Sequence, residues 1–140
     1  MLRIFVFAIL FLGLGASAQE PPRSITLRIL DGRNASPVAG ELVNLWYDEQ
    51  SGNPIVVRTD ESGAVILPPP LSHAVRLFLA PLASIDCRKR AFPPVAYSLA
   101  EIGSTGITTQ STCGSPSIKR GAGEIVLFVR NRRWYDNVNR

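Results

Sequence analysis

Side chains that commonly carry catalysis are sparse in this sequence. His73 is its only histidine, and Ser72 stands directly before it. A serine and a histidine could supply two members of a catalytic triad, in which the imidazole takes the serine proton. Neighbouring residues of an extended chain point to opposite sides, however, and the sequence has no Gly-x-Ser-x-Gly elbow. We therefore interpret His73 as a loop histidine and predict no catalytic residue.

Metal ligands are too few for a zinc or calcium site. Zinc needs three or four His, Cys or carboxylate ligands, whereas this chain has one histidine and two cysteines. The segment Asp60-Glu-Ser-Gly63 has a composition similar to part of a calcium loop, but it lacks the further oxygen ligands at fixed spacing. We interpret it as a turn, and we predict neither a metal nor another cofactor.

Basic side chains form two clusters. One is Arg88-Lys89-Arg90, and the other combines three arginines of the C-terminal region with two aromatic residues. Both could meet an anionic polymer or a membrane surface outside the cell, although solvated loop and tail residues have the same appearance. Lys89 and Lys119, the two lysines, are interpreted as solvated rather than as partners in a Lys–Asn isopeptide bond. The C-terminal cluster consists of Arg130, Arg132, Arg133, Trp134 and Tyr135.

Exposed aromatic rings are the platforms of carbohydrate-binding sandwiches. Alternation along Glu41–Tyr47 turns the apolar residues at every second position to the core, which leaves Trp46 on the opposite face. A polysaccharide site at Trp46, or at Trp134 with Tyr135, is therefore one hypothesis. The alternative is that Trp46 packs under a neighbouring loop and Trp134 folds back on the sandwich edge, because tryptophan is buried on average.

The N-terminal segment indicates export. Arg3 supplies a positive charge, Ile4 to Leu14 is an almost unbroken apolar run, and Ala16-Ser17-Ala18 offers the small residues that signal peptidase requires. The run is too short to cross a bilayer, which needs about 20 apolar residues. We predict a signal peptide at residues 1–18, an extended leader at 19–23, secretion to the periplasm or the cell exterior, and no membrane span in the mature chain.

The mature chain is mildly basic and carries one predicted disulfide. Signal removal takes away one of 15 basic residues and none of the 11 acidic ones, so the net charge falls from +4 to +3. So mild a charge on an exported protein disfavours nucleic acid as a partner. Cys87 and Cys113 lie 26 positions apart without Cys-x-x-Cys spacing, and we predict a structural bridge between them. Closing that loop stabilises the fold by about 3–4 kcal/mol.

Short strands are the elements that position these residues. Alternating apolar and polar residues, with Gly, Pro, Asn and Asp between the segments, are typical of half-buried strands joined by turns. We expect a hairpin around Glu61-Ser62-Gly63, a helical turn near Tyr97–Ile102 from the capping box Ser98-x-x-Glu101, and little other regular structure in Pro81–Ser117. The nearly continuous apolar run of the last strand indicates cover on both faces. Strands are predicted at Ser24–Leu30, Glu41–Tyr47, Ile55–Asp60, Ala64–Leu67, Ala74–Ala80, Ile107–Gln110 and Glu124–Arg130.

One stretch, residues 24–67, carries a resemblance to a known family. Its motifs are Ile25-x-Leu-x-Ile29, Asp31-Gly32, Pro37-Val38, Gly40, Val43-x-Leu45 and Thr59-Asp60-x-x-Gly63. This order resembles the carboxypeptidase regulatory-like domains, which belong to the transthyretin-like, or prealbumin-like, sandwiches. The resemblance implies an accessory, spacer or binding module. The transthyretin-like hydrolases depend on several histidines and a C-terminal motif that this chain lacks, so their activity is disfavoured.

We therefore predict an all-β fold in one domain, residues 24–130, followed by a basic tail at 131–140. The expected architecture is an antiparallel two-sheet Greek-key sandwich of about seven strands, immunoglobulin-like or transthyretin-like, with at most one short helix. The expected function is that of a secreted, non-enzymatic module with a protein-binding, accessory or structural role, whose partner is an extracellular or periplasmic protein. The apolar run Ile125–Val129 and the outward Phe78 are candidates for that contact. A polysaccharide-binding module is the alternative, and a small hydrolase around His73 is the weakest hypothesis.

Overall fold

The computed structural model describes most of the predicted domain, namely residues 24–48, 52–68, 72–80, 84–89, 94–114 and 116–132. The predicted signal peptide, the leader and the tail from residue 133 lie outside the described residues. None of the helices in these ranges has the length and hydropathy that crossing a bilayer requires. In chain order the elements of these ranges are β1 Ile25–Asp31, β2 Leu42–Tyr47, β3 Ile55–Arg58, β4 Ala64–Leu67, β5 Ala74–Leu79, β6 Ser84–Asp86, β7 Ala96–Ser98, α1 Leu99–Ser104, β8 Ile107–Thr108 and β9 Glu124–Asn131.

The strands form two sheets, which confirms the predicted two-sheet sandwich. The five-stranded sheet has the order β4-β1-β9, with β6 and β8 sharing the far edge of β9, and the four-stranded sheet has the order β3-β2-β5-β7. The four-stranded sheet is antiparallel throughout. In the other sheet β9 runs parallel to both β1 and β8, a departure from the expected antiparallel pairing. Thr26 N–H donates to Gly123 O at 2.9 Å, so β1 and β9 start at the same end.

The predicted hairpin between β3 and β4 is wrong. β3 pairs with β2 in the four-stranded sheet, whereas β4 pairs with β1 in the five-stranded sheet. The chain crosses between the sheets through a turn that is closed by its own bonds: Asp60 N–H donates to Ala64 O at 2.8 Å, and Gly63 takes a φ of +70°. A β-carbon on Gly63 would also lie 2.8 Å from Ile29 O, so glycine is required twice over.

The main core lies between the two sheets. Alternate residues of β1, β2, β5 and β9 are fully buried there, with Leu27, Leu45, Leu77 and Leu127 each 0% exposed. Strand alternation places these side chains on the inner face and their neighbours on the outer one. Each such aliphatic side chain stabilises the fold by about 1.5–3 kcal/mol through burial, so this layer holds the two sheets together.

A second, smaller core covers the outer face of the five-stranded sheet. Leu30, Val126 and Phe128 are buried there, packed with Cys87 and the partly buried Ile118. The predicted cover on both faces of β9 is therefore confirmed. Because β9 is an interior strand with neighbours on both edges, the expectation that Ile125–Val129 offers an exposed or pairing-competent surface is wrong.

A disulfide joins Cys87 to Cys113, as predicted, with their Cα atoms 5.5 Å apart. It ties the residue after β6 to the segment that covers the second core. Gly32 sits against this bridge, since a β-carbon on it would lie 2.9 Å from Cys113 Cβ and 3.1 Å from Cys87 Sγ. The bridge and its glycine neighbour therefore fix the cover over the five-stranded sheet.

The expected single helical turn is also confirmed. Ser98 Oγ accepts the Glu101 N–H at 3.3 Å, the first half of a capping box. Leu99 and Ile102 of α1 are buried in the main core. The helix therefore packs against the main core between β7 and β8 of the chain.

Candidate functional site

An aspartate, a serine and a histidine, the residue types of a catalytic triad, lie close together at the start of β5. Their hydrogen bonds there stabilise a turn. Asp48 Oδ1 accepts the backbone N–H groups of His73 and Ala74, both at 3.0 Å, and Ser72 Oγ donates to Ala74 O at 2.9 Å. The bond from His73 therefore uses its backbone and not its imidazole, and the residue is exposed. Desolvation acts to raise the pKa of Asp48, but the N–H donors outweigh it and hold this pKa below its usual value.

The Asp60 carboxylate stabilises its own turn in the same way, by accepting hydrogen bonds. Its Oδ1 accepts from Ser62 Oγ at 2.7 Å, from Ser62 N–H at 2.9 Å and from Ala64 N–H at 3.0 Å. The Ser62 hydroxyl, with these N–H groups, lowers the pKa of Asp60. Throughout the described ranges there is no cluster of three or more His, Cys, Asp or Glu side chains suited to a metal ion.

Arg88 is buried, which corrects its interpretation as a solvated loop residue. Its Nη2 donates to Leu77 O at 3.0 Å and to Asp86 Oδ2 at 2.5 Å, and its Nη1 donates to Tyr97 Oη at 3.1 Å. Burial opposes the charge of Arg88, but Asp86 and Tyr97 raise its pKa above the ordinary value. The guanidinium thus links β6 of one sheet to β5 and β7 of the other. Lys89 beside it is exposed, as is Lys119, and Arg90 lies outside the described residues.

Two open clefts flank the segment Thr108–Gln110. Each has a volume of about 340 Å³. One lies between β7 and β8, where Tyr97, Val95 and Ile107 line it with Lys89. The other lies over Phe128 on the outer face of the five-stranded sheet. Of the residues that line these clefts, only Arg88 and Lys89 were predicted from the sequence as possible binding residues.

The candidate binding site is the outer surface of the four-stranded sheet, where the pairing register of β2 and β5 brings aromatic and polar side chains side by side. Trp46 pairs directly with Arg76, and Asn44 pairs directly with Phe78. The two aromatic rings therefore occupy diagonal positions about 7 Å apart, with an amide and a guanidinium at the other two corners. All four residues are partly exposed, in contrast to the buried Phe128 on the other sheet. The outer surface comprises Leu42, Asn44, Trp46, Val56, Arg58, Ala74, Arg76, Phe78, Ala96 and Ser98.

Trp46 combines both of its predicted behaviours. Its Nε1–H donates to Gly52 O at 2.9 Å, so one edge of the indole is held by the loop that follows β2. The residue is nevertheless only partly buried, and it stays on the face opposite to Leu45 and Tyr47. A fixed, partly exposed ring is pre-ordered for a flat ligand, because little rotamer entropy remains to be lost on binding.

Arg130 and Arg132 do not lie on the sheet that carries Trp46. Arg130 and Arg132 lie at the end of β9, in the five-stranded sheet or just past it, and both make interactions there. Arg133, Trp134 and Tyr135 lie outside the described residues. Asn44 and Arg76 were missed as site residues. Period-two alternation puts each on an outer face, but only the register between β2 and β5 brings them beside Trp46.

The fold and site define an all-β, two-sheet sandwich with one partly exposed aromatic and polar sheet face. No family model matches the chain, and neither a curated protein nor a solved structure matches it. The resemblance of residues 24–67 to carboxypeptidase regulatory-like and transthyretin-like domains therefore stays a prediction from the sequence pattern.

Proposed function

We propose that this chain is an exported, non-enzymatic β-sandwich module that binds polysaccharide on the outer surface of its four-stranded sheet. The observation that carries the proposal is the diagonal placement of Trp46 and Phe78 with Asn44 and Arg76 between them. Export rests on the predicted signal peptide, and the Cys87–Cys113 disulfide is compatible with an oxidising compartment.

The chemistry of this surface suits a sugar chain. A pyranose ring presents C–H groups on its faces and hydroxyl groups at its rim. The C–H groups pack against aromatic rings such as Trp46 and Phe78, while the hydroxyls need donors and acceptors. Asn44 offers both, and Arg76 offers donors in a planar fork. The non-enzymatic part of the proposal is supported by Asp48 and Ser72, whose side chains bond to backbone groups at the start of β5.

Substitution of the aromatic pair tests this proposal. Trp46→Ala and Phe78→Ser should each weaken binding to a responsive polysaccharide at least tenfold in isothermal titration. The matched control is Ile66→Ser, because Ile66 is 69% exposed on the outer face of the other sheet. Equal affinity of the aromatic variants and the control, or no binding by a panel of neutral and charged polysaccharides, would overturn the proposal.

A protein-binding accessory role is the second candidate, and strand β3 favours it. This strand is an edge of the four-stranded sheet, and Ile55 and Val56 are 41% and 57% exposed. An exposed apolar edge is open to pairing with a strand of another protein. Ile55→Lys, on β3 but outside the ten outer-surface residues, should then abolish capture of a purified partner while leaving polysaccharide binding through Trp46 largely intact.

A further inference from the structure

Arginines are the only charged side chains among the ten outer-surface residues. Arg58 and Arg76 point outward from β3 and β5, and none of the ten outer-surface residues is Asp or Glu. Arg58 Nη1 donates to a carbonyl, Gly40 O, at 3.2 Å. Among the described residues the ion pairs formed join other groups, and neither of these arginines takes part in one. The outer surface is therefore a positively charged face.

On the five-stranded sheet, by contrast, the outward arginine forms an ion pair. Arg28 lies on the outer face of the five-stranded sheet, where Glu124 of the adjacent β9 approaches its Nη1 to 3.8 Å. That charge has an internal partner, whereas the charges of Arg58 and Arg76 are left for an external anion. This contrast between the two sheets indicates that the outer surface of the four-stranded sheet favours negatively charged ligands.

The register arranges the polar residues in a line. Arg58 pairs with Leu42, two positions before Asn44 on β2, and Arg76 pairs with Trp46, two positions after it. Arg58, Asn44 and Arg76 thus fall on one diagonal across three neighbouring strands. The diagonal continues to Ser98 on β7, which pairs with Ala74. We call these four residues the polar stripe.

Apolar side chains border the polar stripe on both sides. From strand spacing and rise, Arg58 and Arg76 are about 10 Å apart across the strands and about 13 Å apart along them. This span fits an extended chain of several sugars lying along the stripe, with its ring faces against the aromatic borders. One border is Val56, Trp46 and Ala74, and the other is Leu42, Phe78 and Ala96.

We propose that the ligand of the outer surface is an anionic polysaccharide, whose carboxylate or sulfate groups pair with Arg58 and Arg76 along the polar stripe. This inference rests on the proposed polysaccharide-binding function. The guanidinium fork matches both anions in two-point contacts, and salt screens such exposed pairs. Affinity should therefore fall as ionic strength rises, which a purely stacking interaction would not show.

The experiment titrates the mature chain with polygalacturonate, dextran sulfate and neutral dextran at two salt concentrations. We expect either or both anionic chains to bind at least tenfold more tightly than neutral dextran, and the comparison of the two identifies the anion. Arg58→Gln and Arg76→Gln should each weaken that binding about two- to fivefold, the range for exposed ion pairs. Arg28→Gln is the matched control and should leave binding unchanged.

Three results would overturn the inference. If neutral dextran binds as tightly as the anionic chains, and Trp46→Ala removes that binding, polysaccharide recognition stands but its anionic character falls. If Arg28→Gln weakens binding as much as Arg76→Gln, while Trp46→Ala has no effect, the attraction is a non-specific consequence of net positive charge. If no polysaccharide binds, the inference and the proposed function fall together.

Discussion

At the scale of single residues, polar side chains in this protein mostly close turns or join sheets. Asp48 and Asp60 collect N–H donors at two turns, and Arg88 connects the sheets through β5, β6 and β7. Buried donors must be paired, so the bonds of the buried Arg88 guanidinium are required once the fold forms, whereas those of Asp48 and Asp60 lie at more exposed turns.

Arg88 gives the sharpest stability prediction at this scale. Arg88→Met should lower the free energy of unfolding by about 3 kcal/mol, because the substitution leaves the Asp86 carboxylate without its partner in a largely buried position. Lys89→Met at the neighbouring exposed position should change it by less than about 0.5 kcal/mol. Urea unfolding measures both. A loss below about 1 kcal/mol for Arg88→Met would show that the guanidinium does not link the sheets energetically.

Two aspartates, Asp48 and Asp60, should make the stability of the folded protein fall at acidic pH. The Ser62 hydroxyl lowers the pKa of Asp60, and the backbone N–H donors outweigh desolvation to lower that of Asp48, each from the ordinary 3.8. Because these folded-state pKa values lie below the unfolded ones, their stabilisation is complete above about pH 4 and is lost as the pH falls through the folded values. Unfolding free energies from pH 7 to pH 2 should fall below about pH 4. Asp48→Asn and Asp60→Asn should each flatten that fall, and an unchanged profile in both would contradict the assignment.

At the scale of elements, the disulfide holds the cover of the five-stranded sheet. Thr112 N–H and Oγ1 both bond to Cys87 O, at 2.7 and 2.8 Å, so the bridge and these bonds dock the same segment. Removing the bridge should release this cover before it releases the main core, because strand packing, α1 and the Arg88 bonds hold the main core without the disulfide.

The double variant Cys87→Ala with Cys113→Ala tests this order. It should lose about 2–5 kcal/mol of unfolding free energy. Hydrogen exchange should accelerate first at the amides of Thr109–Gly114, while those of β2 and β5 stay protected as the internal control. Equal acceleration in both regions would mean that the cover and the main core unfold as one unit.

Sequence patterns predicted the positions of the strands better than they predicted which strands pair with each other. Long alternating segments such as β1 and β5 were located within a residue or two, since burial of one face fixes their period. The three-residue strands β6 and β7 were missed because so short a segment shows no period. The β3–β4 turn has the composition of a hairpin, and only the competing partners β1 and β2 decide that its strands separate. The candidate site depends on register, so Trp46 and Phe78 could be selected beforehand as outward aromatic residues, but Asn44 and Arg76 could not be placed beside them.

At the scale of the whole molecule, the two sheets present different outer faces. A disulfide-tied segment covers the five-stranded sheet over Phe128, whereas the four-stranded sheet keeps Trp46 and Phe78 partly exposed beside unneutralised arginines. A sandwich needs one buried layer between its sheets, and an outer apolar face left partly open marks a contact surface. We propose that ligands bind to that open face.

Mapping of ligand contacts by NMR tests this assignment most directly. The mature, isotope-labelled chain is titrated with polygalacturonate oligomers, and amide and side-chain shifts are followed. The account predicts that changes concentrate in β2, β3 and β5 and include the Trp46 indole and the Arg76 guanidinium, while β1, β4 and β9 stay unchanged. Changes centred on the five-stranded sheet or on the clefts beside Thr108–Gln110, or an unchanged spectrum, would contradict it.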